Sequence, residues 1–349
     1  MYTIPPKKML ILNILDILKK YSDENHRLSA KDIVDRLECE YSQAVDRKAV
    51  KRNLVNLIEF GYNIEYSETV RKNKNGDKET IYSDWYLERD FNDAELRLLI
   101  DSLLFSKHIP YSQCKKLIEK LEGLSNTYFK AKVKHIRTMP ESMPVNKQLF
   151  LTIEVLDEAI GKGQQVSFTY NEFDVDKKTY PRKDSEGNVR DYIINPYQMA
   201  ATNGRYYLIC NHDSHNGVSY YRLDKITNIK ILESKVKDKK LIKGLKNGLD
   251  LPKHMAEHIY MFAGESVRVK FRAKRHITGQ IIDWFGDGVA FTDATDDVVI
   301  VTVQVNESAF YYWALQYGPY VEVLEPEGLR GKVKDAILGM AKKYKKQKI

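Results

Sequence analysis

The side chains best suited to chemistry in this chain are tyrosines and arginines gathered between residues 167 and 222. Arg190, Arg205 and Arg222 carry planar guanidinium groups that fork onto two phosphate oxygens. Tyr170, Tyr197, Tyr206, Tyr207 and Tyr220, with Tyr192 and Tyr221 beside them, offer faces on which bases stack, an interaction of about 1–3 kcal/mol per base. Ser167 and His212 add a hydroxyl and a rim imidazole. Such a set suits a nucleotide-like anion. Each residue also has a plainer use. A strand tyrosine more often fills core, and Asp224 and Asp191 are alternative partners for Arg222. Neighbouring strand residues point to opposite faces, so one member of Tyr206/Tyr207 and one of Tyr220/Tyr221 is expected in the core.

Nothing comparable supports catalysis. The chain has no Gly-rich phosphate loop, no G-x-S-x-G and no complete metal motif. His212 and His215 flank Asp213 in a turn without a third ligand. His254 and His258 stand four apart without the Glu that completes HExxH. Cys39, Cys114 and Cys210 are few, odd in number and far apart, which points to a reducing cytoplasm and away from a disulfide frame. The expectation is a non-enzyme without cofactor or metal.

Strands must hold the tyrosines and arginines. Residues 205–210 and 218–223 alternate as half-buried strands do, and 211–217 is turn chemistry. The two-residue period puts Tyr220 and Arg222 on one face. Tyr206, Tyr207 and Leu208, followed by Arg222, Leu223, Asp224, Lys225 and Ile226, resemble the signature of the WYL domain, a small β-barrel of bacterial regulators. Tyr206 replaces a Trp and Lys225 an Arg. The resemblance covers residues 149–232. It implies an Sm-like barrel whose aromatic, hydroxyl and basic residues hold a nucleic-acid or nucleotide-like regulator. Ser167, Tyr170, Arg190, Tyr197, Arg205, Tyr206, Tyr207, His212, Tyr220 and Arg222 are the residues expected to touch that ligand. A helix over 149–160 closed by Gly161, strands at 165–170 and 189–197, and a hairpin tip at 173–188 complete the expected barrel.

Upstream, helices are expected over 8–20, after a Ser29 cap, and from an Asp46 cap to Gly61. On the third, Val50, Leu54, Leu57 and Ile58 face one way. Lys48, Lys51 and Arg52 face the other, with Arg47 at the start. Strands at 63–67 and 80–87 flank a tip where Arg71, Lys72, Lys74 and Lys78 surround Asn75 and Gly76, a hairpin-turn dipeptide. Three helices and a basic hairpin are the parts of a winged helix-turn-helix, with the third helix in a major groove and the hairpin on the backbone. The run DRKAVKRNLVNLIEFGYNIEY resembles the recognition helix and following strand of WYL regulators. The stretch 38–45 is longer than a tight turn between helices. The plainer reading is a solvated face on a core helix.

A helical connector follows, capped by Asn92 or Asp93, with a second helix at 112–124. Pro140 and Pro144 mark a boundary. Beyond a lysine-rich link at 234–247, strands at 266–272, 288–292, 298–305 and 320–324 alternate with helices in the order β-α-β-β-α-β. This part resembles the WCX extension of WYL regulators, down to Trp313, Gly318 and VEVLEP. That implies homodimer contacts and a part in holding the ligand, for which Arg268, Arg272, Lys274 and Arg275 are basic enough; the plainer reading of these four is an ordinary solvated strand and turn.

The expected fold is therefore α+β and multidomain. It comprises a winged helix-turn-helix (1–90), a helical connector (91–148), a WYL barrel (149–233), and a linker with a ferredoxin-like dimerisation domain (234–349). The net charge of +8 is spread unevenly, so nucleic-acid contact is expected from local clusters. No apolar run spans a bilayer and no signal peptide is recognisable, so a cytoplasmic protein without membrane contact is expected. The expected function is a ligand-responsive transcriptional regulator, a homodimer on an operator in double-stranded DNA with a nucleotide or single-stranded nucleic-acid effector. The alternative is an accessory single-stranded nucleic-acid-binding protein that modulates a phage-defence or CRISPR effector.

Overall fold

The computed structural model describes residues 7–72, 77–106, 108–132, 146–246 and 248–344. The chain forms two compact units, Met1–Met143 and Pro144–Ile349.

In the first unit three helices, α1 (Leu10–Tyr21), α2 (Ala30–Tyr41) and α3 (Arg47–Phe60), share one core. The helices start where a side chain can satisfy free backbone N–H groups. Ser29 and Asp32 form a reciprocal capping box at α2, and Asp46 Oδ1 accepts from Ala49 N at 2.6 Å at α3. Gly61 ends α3 at φ +110°, a conformation open to glycine. Ile14, Ile17, Leu18, Ile33, Leu37, Val50, Leu54 and Leu57 are buried together, joined by Trp85. Helix α2 runs past the expected end because the Tyr41 hydroxyl donates to Asp16 and accepts from Lys20 Nζ at 3.4 Å. The connection to α3 is therefore residues 42–46, shorter than the sequence suggests, with Ser42 left-handed.

Strands β1 (Ile64–Lys72) and β2 (Lys78–Leu87) pair as an antiparallel hairpin from Ile64↔Leu87 to Lys72↔Lys78. Leu28 bridges to Trp85, which ties the chain before α2 to β2. Lys74, Asn75 and Gly76 lie outside the described residues, as do Pro140 and Pro144.

Helices α4 (Asp93–Phe105), α5 (Tyr111–Glu122) and α6 (Thr127–Lys132) complete the unit, around Leu96, Ile100, Cys114, Ile118 and Phe129. Helix α6 escapes the sequence because six residues give too little periodicity to recognise. Just before α6, Asn126 donates to Ser22 O at 3.2 Å and to Asp23 Oδ2. Tyr128 within it stacks on His26 at 3.6 Å. These contacts fasten the connector to the loop after α1.

The second unit opens with α7 (Leu149–Lys162). The helix passes through Gly161 and stops at Gly163, which takes φ +61°. Six strands follow, β3 (Gln164–Phe173), β4 (Thr179–Pro181), β5 (Asp191–Thr202), β6 (Arg205–Asn211), β7 (Ser219–Arg222) and β8 (Ile226–Lys235). Strand β3 pairs with β4, β5 and β8, and the sheet continues β5-β6-β7. The expected closed barrel is not formed. Strand β7 has four residues, and a 3₁₀ turn at Leu223–Lys225 turns the chain so that β8 pairs with β3 instead of β7. The stretch expected as a bare tip contains β4. The lysine-rich link is anchored: Ile242 and Leu245 are fully buried against Tyr197, and Ser234, where the link was expected to begin, falls inside β8.

Further on lie α8 (Leu251–Glu257), β9 (Ser266–Lys274), α9 (Thr278–Phe285), β10 (Ala290–Thr292), β11 (Val298–Asn306), α10 (Glu307–Gln316), β12 (Val321–Glu325) and α11 (Glu327–Lys343). The last four strands form an antiparallel sheet in the order β10-β11-β9-β12. Its core joins Phe271, Val301, Phe310 and Trp313.

Candidate nucleic-acid interfaces

Helix α3 presents two unlike faces. Val50, Leu54 and Leu57 are buried, whereas Arg47, Lys48 and Arg52 are exposed and Lys51 is half-exposed. The four cations make no salt bridge among the described residues, so their charge is directed to solvent. Arg71, Lys72 and Lys78 are exposed at the open end of the β1–β2 hairpin. There Arg71 stands opposite Glu79 and Lys72 opposite Lys78. Lys74 lies outside the described residues.

In the second unit the predicted ligand residues fall into separate groups. One sits on the inner face of the first sheet. Phe168, Tyr170, Tyr192, Tyr221 and His212 form a continuous ring cluster, with Tyr170–Tyr221 centroids at 4.9 Å and Phe168–Tyr192 at 5.7 Å. His212 Nε2 meets the Tyr221 hydroxyl at 2.7 Å. Three cations surround the cluster. Arg190 lies over Tyr192 at 4.7 Å, Arg182 over Tyr170 at 5.2 Å, and Lys225 over Tyr170 at 5.9 Å. Arg182 is also paired with Glu172. Burial pushes the Tyr170 hydroxyl up to about 12. Burial, then the neighbouring His215 and Arg190, hold His212 below the ordinary histidine range, so the rim imidazole is neutral near pH 7. Tyr192 Oη is buried without a well-formed hydrogen bond, with the Arg182 guanidinium as its polar neighbour.

A second group lies on the outer face. Arg222 grips Asp224 with two bonds, Nε–Oδ1 at 3.0 Å and Nη2–Oδ2 at 2.6 Å. Arg205 Nη1 stands 3.6 Å from the same carboxylate. Burial opposes the Arg222 charge, but the Asp224 pair outweighs it and raises its pKa. Two guanidiniums on one carboxylate leave a net positive patch. The groups touch where the Arg222 backbone N–H donates to Tyr170 Oη at 3.2 Å.

The structure does not bring every predicted residue to these groups. Tyr197 is 1% exposed and gives its hydroxyl to Lys237 O at 2.9 Å, in the pocket of Ile242 and Leu245. Ser167 faces away from Tyr170, beside the register of Ile193 and Lys230. Tyr206, Tyr207, Tyr220 and Tyr221 are all half-buried, because both faces of the sheet are covered. Neither tyrosine pair therefore divides into a core and a surface member. Sequence reasoning missed Arg182 and Lys225 as companions of the ring cluster. Arg182 follows Pro181 on a strand too short to recognise, so no alternation marked its direction.

A polar hub, with Gln165, Asn195 and Asn211 buried and Asp213 exposed, supports the His212 turn. Asp213 accepts from Asn195 Nδ2 at 2.7 Å and Gln165 Nε2 at 2.8 Å. Asn211 Nδ2 donates to the carbonyls of His215 and Gly217. Side-chain hydrogen bonds from Asn195 and Gln165 hold the Asp213 carboxyl below the usual range. Among the described residues no group of three His, Cys, Asp or Glu side chains gathers as a metal ligand set, and no helix is long and apolar enough to cross a membrane.

Residues 152–231, which include both groups, match the WYL domain, and residues 263–341 match the WCX domain. The chain carries a WYL domain followed by a WCX domain. Among solved structures, proteasome accessory factor B/C (PafBC) of Arthrobacter aurescens is similar at 16% identity. The match covers 98% of this chain and 50% of that one, with a TM-score of 0.29. A CRISPR Cas-related protein is similar at 14% identity over 99% of this chain and 87% of that one, with a TM-score of 0.36. This chain thus spans about half the length of the PafBC chain. No curated protein matches the chain. In the WYL domain, the signature segment comprises β6, β7 and the 3₁₀ turn that carries Asp224.

Proposed function

We propose that the chain is a non-catalytic regulator that grips duplex DNA with its first unit and holds a nucleotide-like anion on the WYL domain. The observation that carries this reading is the free face of α3, where Arg47, Lys48, Lys51 and Arg52 stand opposite a buried apolar stripe without acidic partners among the described residues. A helix of this kind fits a major groove. The β1–β2 hairpin then acts as the wing, with Arg71, Lys72, Lys74 and Lys78 on the phosphate backbone, and the first unit is a winged helix-turn-helix. The ring cluster and its cations offer stacking and phosphate pairing to a short single strand or nucleotide. We read the WCX sheet as a ferredoxin-like domain that joins two copies, placing two α3 helices about one DNA turn apart on a pseudo-palindromic operator.

The test is binding of the full chain to its own promoter fragments, followed by fluorescence anisotropy across salt concentrations. Alanine at the four α3 cations is expected to abolish specific duplex binding. Removing one cation–phosphate pair flattens the slope of log K against log salt by about 0.9. Unchanged duplex affinity overturns the reading. A second reading, an accessory protein for a nucleic-acid-guided or defence effector, is favoured by the aromatic and cationic composition of the WYL cluster. It predicts tight single-strand binding with indifference to duplex sequence.

A further inference from the structure

The outer face of β6 and β7 is covered by residues 249–261. Ala200, Ile209 and Met261 are buried there, with Tyr207, Tyr220, Leu251 and Met255 packed around them. One polar knot interrupts this apolar contact. The Tyr220 hydroxyl lies 2.8 Å from His254 Nε2 and 3.3 Å from His258 Nδ1. His258 Nδ1 is also 3.1 Å from the Phe262 carbonyl. The two imidazoles stack with centroids 4.3 Å apart. A carbonyl only accepts, so His258 carries its proton on Nδ1. The Tyr220 O–H is then free to donate to His254 Nε2. The chain of donors runs from His258 through Tyr220 to His254 and needs His254 Nε2 unprotonated as its final acceptor. The knot lines an open cavity of about 1080 Å³, so water reaches it without unfolding.

We propose that Tyr220, His254 and His258 form a proton-sensitive latch that holds residues 249–261 on the WYL sheet at neutral pH and releases that segment on acidification. Protonating His254 Nε2 deprives the Tyr220 O–H of its acceptor and sets a positive charge against the stacked His258 ring. Burial, then His258, hold His254 down to about 4, and burial also holds His258 below the usual range. The surrounding charges do not relieve this. At the start of α8, Asp250 is occupied, accepting from Lys253 N at 3.2 Å, and Lys253 supplies no acid. Across the cavity Lys243 is paired with Glu265, while Lys246 and His215 add no acid. Arg222, two residues along β7, is held by Asp224. Glu257 is the carboxylate left to favour a proton on His258. The latched state binds fewer protons than the released one, so the latch is complete above about pH 6.5 and weakens as pH falls towards 4.

Hydrogen exchange on the full chain tests this, with rates corrected for intrinsic pH dependence and residues 298–306 as internal reference. Protection of 249–262 is expected to fall about tenfold or more between about pH 7.5 and about pH 5, the amplitude of a local opening. His254→Gln with His258→Asn keeps neutral hydrogen-bonding groups near the same positions and is expected to remove the pH dependence. Tyr220→Phe is expected to lower protection already at about pH 7.5. Protection that is constant in the wild type, or falls equally in the double variant, overturns the proposal. So does a wild-type titration by NMR in which both imidazoles titrate at the ordinary value of about 6.5.

Discussion

Asp224 shows how one side chain sets the state of a candidate binding surface. Its carboxylate holds Arg222 in a two-pronged pair and draws in Arg205, the same geometry a phosphate would take. An anionic ligand must therefore compete with an acid already in place. Asp224→Asn is expected to tighten binding of a labelled short oligonucleotide about tenfold or more, the scale of a charge-assisted hydrogen bond. Arg222→Ala is expected to weaken it by a similar factor without unfolding the chain. Anisotropy titrations of both variants check this, and weaker binding by Asp224→Asn instead makes Asp224 a positioner of the arginines. Asp213 acts on the fold of the rim. It takes hydrogen bonds from Asn195 and Gln165, so Asp213→Ala is expected to cost about 1 kcal/mol of stability. Its carboxyl titrates below the usual range, so this contribution is present above about pH 4 and is lost as the solution is acidified through the lowered value. Urea midpoints measured against pH check both statements.

At the scale of elements, stability rests on ends as much as on faces. Ser29 and Asp32 satisfy each other's backbone N–H groups at the start of α2, and Ser29→Ala is expected to cost about 1 kcal/mol in a denaturant titration. These caps are legible in the sequence because a cap is a local device. So is α3, whose apolar stripe and cationic face alternate at helical spacing over 14 residues. Short elements are not. Strand β4 has three residues and α6 has six, too few for any period to emerge from the surrounding polar residues. Contacts that depend on meeting across the chain are also hidden. Tyr197 reads as a binding face, yet it fills a pocket made by Ile242 and Leu245, more than forty positions later. Strand alternation predicts a core member in each of the Tyr206/Tyr207 and Tyr220/Tyr221 pairs. It gives a residue its side of the sheet, but what covers each side is decided elsewhere, here by residues 249–261 on the outer face.

For the whole molecule, the division into Met1–Met143 and Pro144–Ile349 places the α3 cations in one compact unit and the ring cluster in the other. Each unit has its own buried cores, so calorimetry on the full chain is expected to resolve two transitions rather than one. A ligand of the WYL domain is expected to raise the midpoint of the second unit alone, by the mass-action stabilisation of whatever state it binds. Strand β3 carries a consequence of another kind. It pairs with β4 a few residues later, with β5 about twenty-five residues later, and with β8 some sixty to seventy later. During synthesis, β3 emerges from the ribosome long before β8 has been translated, and one side of its backbone has no partner in the meantime. The growing polypeptide must shield that edge until translation passes Lys235. Faster elongation or chaperone contact over that interval is thus expected to raise soluble yield more than any change made downstream.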